Sequence, residues 1–149
     1  QTIKLTVILQ TWQQKKKSSV MDFTVPPDLP PGKYTLSILG SYAYENFMQN
    51  HTPHKYIAFD SQSLLSAIRN VIPEPRRTLY AALELNETSI ALRNQPLEKL
   101  PPTKAILLND PKRTEMMLPL KPWIQKSAKI DSILIGQKDI QINVEPPLQ

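Results

Sequence analysis

A chain of 149 residues with 18 basic and 13 acidic side chains, a net charge of +5 and no cysteine is bounded before any motif is read. One domain or two small packed subdomains fit that length. A disulfide framework and a thiolate zinc site are excluded, and no run approaches the ~18 apolar residues of a membrane-spanning helix. The cations are spread out, apart from Lys15, Lys16 and Lys17, which favours solubility over a nucleic-acid footprint. Fifteen prolines against three glycines mean that strand ends are set by proline. The chain opens on Gln1 and enters a strand at once, so it is expected to be a fragment of a longer protein that has lost any targeting signal.

Ile3, Leu5, Val7 and Leu9 alternate with Lys4, Thr6, Ile8 and Gln10, the pattern of a strand with one buried face. Gln13 to Lys17 reads as a polar hairpin tip, and Ser19 to Val25 as the returning strand with Met21, Phe23 and Val25 in step. Pro26-Pro27 and Pro30-Pro31 then end that strand, because proline cannot donate to a ladder. Gly32 is expected to supply the permissive backbone of a tight turn. Lys33 to Leu39 is the third strand, with Tyr34, Leu36 and Ile38 on one face. Ser41 to Asn50 is predicted as a short helix with Tyr44, Phe47 and Met48 on one side.

Asp60-Ser-Gln-Ser opens a firmer helix, in which Asp60 or Ser61 can accept from first-turn amides. Leu64, Leu65, Ile68, Val71 and Ile72 form a single apolar stripe, and Pro73 ends it. Thr78 to Leu85 and Ser89 to Arg93 predict a hairpin around residues 86–88. Leu100 to Leu108 is read as one or two helical turns, and Met116 to Ile124 as extended. Ser132 to Ile135 and Asp139 to Val144 are predicted as a closing hairpin around Gly136-Gln137, returning to the sheet begun by residues 3–39. No internal repeat is present.

Candidate chemistry is sparse. His51-Thr-Pro-His54 could offer two nitrogens to a metal, with Glu45 or Asp60 as an oxygen ligand, yet Pro53 works against a helix presenting both rings. The reading is a solvated loop with two ordinary histidines. A hydrolase needs a nucleophile, a base and an oxyanion hole held together, and no Gly-x-Ser-x-Gly elbow exists. Gly32, Gly40 and Gly136 lie too far apart for a phosphate loop or a dinucleotide fingerprint. Glu84, Glu87 and Glu98 read as solvated charge. Lys15 to Lys17 beside Trp12 could stack a base or sugar, but lysines at a hairpin tip also block edge pairing. Trp123, between Pro122 and Ile124, is read as core or interface rather than as a ligand platform. Tyr42, Tyr44 and Phe47 could form an exposed aromatic patch, with packing as the competing reading.

The stretch Asp28-Leu-Pro-Pro-Gly-Lys-Tyr-Thr-Leu36 resembles a turn in C-terminal regions of bacterial proteins carrying a SpoIVB-type serine peptidase domain. Phe59, Ser63-Leu64, Ile68-Arg69 and Arg77-x-Leu79-Tyr80 follow in the order of that region's helix and next strand. Leu100-Pro-Pro102 and Ile130 to Gly136 continue it. In that family the peptidase signature lies upstream, around a Gly-His-Gly loop that this chain lacks, so no catalytic residue carries over. The resemblance implies an accessory β-rich region of an extracytoplasmic bacterial protein.

The expected fold is α+β and mainly β: an antiparallel β-sandwich-like sheet with one firm helix at about 61–72 and a smaller αβ part. The chain is read as a single module, with possible subdomains at 1–58, 59–131 and 132–149. The expected function is a non-catalytic accessory or protein-interaction module. Trp12, Tyr42, Tyr44 and Phe47 are the candidate binding surface, and the partners are other parts of the parent chain or another protein. A carbohydrate-binding β-sandwich and a serine peptidase remnant are the alternatives. No cofactor, metal, nucleic acid or membrane span is expected, and an extracytoplasmic location follows from the resemblance.

Overall fold

Alternation in the first residues is realised as a long hairpin. In the computed structural model, which describes residues 2–10, 13, 15–71, 76–87, 89–92, 95–97 and 117–145, β1 (Thr2–Gln10) pairs antiparallel with β2 (Lys16–Thr24). Ile3 faces Phe23 and Leu5 faces Met21 across the ladder. One face of the hairpin is therefore apolar and must be covered.

What covers it is a four-stranded antiparallel sheet in the order β8-β4-β3-β9. Its strands are β3 (Gly32–Gly40), β4 (Thr78–Glu84), β8 (Trp123–Lys129) and β9 (Gln137–Val144). Side chains alternate across β3 and β4 with period two. Tyr34, Leu36, Ile38, Leu79, Ala81 and Leu83 point toward the hairpin, where they meet Met21, Phe23 and Val25. Leu39, Tyr80 and Ala82 point the other way and receive α1 (Ser41–His51) through Tyr44 and Phe47. The result is three layers: hairpin, sheet and helix. Each fully buried leucine in this core contributes about 2 kcal/mol by removing apolar surface from water.

A short 3-10 turn (Pro53–Tyr56) follows α1, and α2 (Ser61–Asn70) follows that. A smaller three-stranded sheet, β6-β5-β7, is built from β5 (Ser89–Leu92), β6 (Gln95–Leu97) and β7 (Met117–Leu120). Pro96 and Pro119 sit in its two edge strands, where a missing ladder donor is tolerated.

The mainly-β architecture with antiparallel sheets is as the sequence predicts, but three local expectations are corrected. β4 does not form a hairpin with β5. Both of its edges are taken, by β3 and β8, and it is buried on both faces, so its partners are remote in sequence. The closing hairpin is not formed either: residues 131–136 carry no strand, and β9 lies along β3 from Gly32↔Val144 to Leu39↔Gln137. Ser37 donates to Asp139 Oδ1 at 2.8 Å across that ladder. Finally, Gly32 is not a turn glycine. It begins β3 with ordinary backbone, whereas Gly136 is the glycine with positive φ, at 110°.

The predicted short helix is present and runs to His51. Asp60 rather than Ser61 caps α2. The segment expected to be helical at 100–108 lies outside the described residues, as do Trp12 and residues 72–75. No helix among the described residues is long and apolar enough to cross a membrane.

Candidate binding groove

The proline-rich connection between β2 and β3 is stiff because four of its residues have φ fixed by their own rings. It is also tied down. The Tyr34 hydroxyl donates to the Pro30 carbonyl at 2.7 Å while the Tyr34 ring lies in the core. A tyrosine that reaches back to a backbone oxygen a few residues upstream is the tyrosine-corner arrangement of β-sandwiches. Pro30-Pro31-Gly32-Lys33-Tyr34 thus forms one brace, with the prolines setting direction and the phenol holding the carbonyl.

Two other loops are laced to the same end of the sheet. Asn86 Nδ2 donates to the Lys33 carbonyl at 3.1 Å, and the Leu85 amide donates to the Pro122 carbonyl at 3.0 Å. Between the three loops lies a groove of ≈ 600 Å³, lined by Asp28, Leu29, Tyr34, Asn86, Glu87 and Trp123 among others. Asp28 and Glu87 are its charged lining residues, in a chain whose net charge is +5.

Trp123 is held from behind. Its indole N–H donates to Gln125 Oε1 at 3.0 Å, and the Tyr44 hydroxyl donates to that same oxygen. The indole also meets Phe47 and His51 edge-on, at centroid separations of 5.7 and 5.8 Å. A shared acceptor and two near-perpendicular ring contacts fix its orientation, so the half-buried ring presents a defined surface. The core part of the expectation for Trp123 fits its inner side, which packs on Phe47 and His51.

The residues singled out in the sequence are dispersed. Tyr44 is 3% exposed and lies flat on Tyr80, centroids 3.9 Å apart, and Phe47 is buried beneath Trp123. Neither can join a surface patch, because the outer face of β3 and β4 needs them as cover. Tyr42, at 69% exposed, stands alone of the three on the surface. Lys15, Lys16 and Lys17 are exposed at the base of the hairpin tip.

Both histidines depart from the solvated-loop expectation. His51 closes α1, with its Nδ1–H donating to the Phe47 carbonyl at 2.9 Å, its ring stacked on Phe47 and its Nε2 3.5 Å from Glu84 Oε1. His54 is 2% exposed in the 3-10 turn, with Nδ1 buried and, among the described residues, without a hydrogen-bond partner. Burial and the nearby Lys55 charge hold its pKa below the ordinary value. Among the described residues no three histidine, aspartate or glutamate side chains gather as metal ligands.

No family model matches the chain, and no curated protein or solved structure matches it.

Proposed function

We propose that this chain is a non-catalytic interaction module of a larger exported bacterial protein, and that the groove beside Trp123 is where it docks an extended segment of its partner. The observation that carries this reading is the construction of the groove: a proline-stiffened wall, an oriented tryptophan and two carboxylates, Asp28 and Glu87. An extended peptide bearing a lysine or arginine complements that set, since a cation can lie against the indole while pairing with a carboxylate. The partner is another part of the parent chain or a separate protein. The exported bacterial setting rests on the resemblance carried by Asp28 to Leu36, the stretch that the Tyr34–Pro30 bond braces.

The reading is tested by titrating the full chain with a panel of extended peptides, basic and acidic. With Trp12 replaced by phenylalanine, Trp123 remains the only tryptophan and reports through its fluorescence. Basic peptides are expected to bind, and Trp123→Ala and the double variant Asp28→Asn, Glu87→Gln are expected to lose them. A panel to which wild type and variants are equally indifferent refutes the proposal. Casein is expected to survive incubation with the chain intact.

A second reading has one observation in its favour. An aromatic ring beside Asp28, Asn86 and Glu87 is also a set that can stack a sugar and hydrogen-bond its hydroxyls. Glycan-array hits that vanish in Trp123→Ala, with no peptide binding, would select carbohydrate over peptide.

A further inference from the structure

The apolar stripe of α2 faces water. α2 is anchored through its narrow face, where Ser63 and Ala67 are buried and Asn70 Nδ2 donates to the Lys55 carbonyl at 2.8 Å. The large side chains lie on the other side of the helix. Leu64 is 49% exposed, Leu65 61%, Ile68 57% and Val71 63%. Their spacing at i, i+1, i+4 and i+7 makes them one continuous ridge, and Phe59, two residues before the helix, is exposed as well. A helix on a soluble domain ordinarily buries this stripe and shows its polar side. Here the small residues are buried and the large apolar ones are displayed.

Charge selects among occupants of the ridge. Residues 55–77 carry the cations Lys55, Arg69, Arg76 and Arg77 against the carboxylates Asp60 and Glu74. All four cations are exposed. Asp60 is engaged as the helix cap, its Oδ1 accepting from the Ser63 amide at 2.7 Å. A second copy of the chain would set like charges against one another. A convex apolar ridge, with Arg69 on the same helix and a net positive charge over residues 55–77, instead matches a surface that is apolar beneath and anionic above, and that yields to a ridge without a preformed cleft.

We propose that α2 binds the surface of an anionic lipid bilayer. Leu64, Leu65, Ile68 and Val71 enter the boundary between headgroups and acyl chains, while Lys55, Arg69, Arg76 and Arg77 lie among the anionic headgroups. The ridge shares no residue with the groove beside Trp123, so this contact is independent of peptide docking.

Co-sedimentation of the full chain with sucrose-loaded vesicles tests it. The chain is expected to pellet with vesicles of phosphatidylcholine mixed with phosphatidylserine, and to remain in solution with phosphatidylcholine alone. Leu65→Glu with Ile68→Glu alters only exposed positions and should leave the circular dichroism spectrum and melting temperature unchanged, yet abolish pelleting. Arg76→Gln with Arg77→Gln should weaken partitioning by about fivefold for each cation lost, and added salt should do the same. Glu87→Gln, in the groove, should have no effect. The proposal is overturned if wild type stays in the supernatant with both vesicles, or if the glutamate variant pellets as wild type does. Binding to an acidic protein with no vesicle binding overturns it equally, in favour of a protein groove on the same ridge.

Discussion

Gly40 lies so close to Leu134 that a Cβ built on Gly40 would stand 2.3 Å from the Leu134 carbonyl oxygen. The Gly40 amide also donates to the Gly136 carbonyl at 3.1 Å, which draws the segment before β9 against the end of β3. Gly40 has φ of −76°, a value any residue adopts, so glycine is required by space and not by backbone conformation. Because the obstacle is backbone, it cannot rotate aside. Gly40→Ala is therefore expected to cost about 2–3 kcal/mol through overpacking. At Gly32 the nearest side-chain atoms to a built Cβ are 3.7 Å away, ordinary contact, and alanine should change stability by less than about 0.5 kcal/mol. Urea denaturation of both variants checks the contrast, and equal midpoints would refute it.

What could be read from the sequence was local. The alternation of Ile3 to Leu9 and the Asp60-to-Ser63 helix start are decided by neighbours within a few residues, and both elements form where expected. Partner choice is not local. Thr78 to Glu84 looks like half of a hairpin because Asn86 and Glu87 follow it, but its continuous burial marks a central strand, and only the fold supplies β3 and β8 to flank it. Tyr44 and Phe47 share a helix face in either reading, core or patch. The outer face of β3 and β4, with Leu39, Tyr80 and Ala82 open to be covered, settles it. The proline wall of the groove was legible as a stiff turn. Trp123 and Glu87 join it only through the β4–β8 pairing, which no short motif encodes.

The Tyr34 brace makes its own prediction. Tyr34→Phe keeps the buried ring and removes one hydroxyl, so it isolates the 2.7 Å bond to Pro30. Pro30 is exposed, and water can satisfy its carbonyl once the phenol is gone. The expected cost is about 1 kcal/mol, the net value of an intramolecular hydrogen bond. Peptide binding in the groove should weaken as well, because the wall that the bond orients is released. Unchanged stability together with unchanged binding would show that the prolines alone hold the turn.

Capping should dominate the stability of α2, since its large apolar side chains contribute little burial. Asp60 Oδ1 accepts from the Ser63 amide, and the Ser63 hydroxyl accepts from the amides of Phe59 and Asp60, each at 2.8 Å. Asp60→Ala removes the cap bond to the Ser63 amide, for about 1 kcal/mol. Ser63→Ala leaves two amides without their acceptor beside a buried position and should cost more, about 2 kcal/mol. Amide hydrogen exchange in Leu64 to Asn70 reads both effects locally. An Asp60→Ala loss larger than that of Ser63→Ala would reverse the assignment.

His54 gives the fold a dependence on pH whose sign is set by burial. The ring is 2% exposed and its Nδ1 has no partner among the described residues, so desolvation, followed by the charge of Lys55, disfavours the imidazolium in the folded chain. The unfolded chain takes up that proton near the ordinary value of 6.5, while the folded chain refuses it until the pH is lower. Stability from this residue is therefore intact above 6.5 and falls as the pH drops below it, levelling off once the folded ring also protonates. His54→Leu removes the titrating group together with the unpaired nitrogen. Urea midpoints at about pH 7.5 and about pH 5.5 should then separate the two proteins. Wild type is expected to lose more stability on acidification than His54→Leu. His51 is common to both proteins, so any contribution it makes cancels in the comparison. Parallel losses in wild type and variant would mean that the buried His54 ring takes up its proton without cost, and that its missing hydrogen bond is made by water.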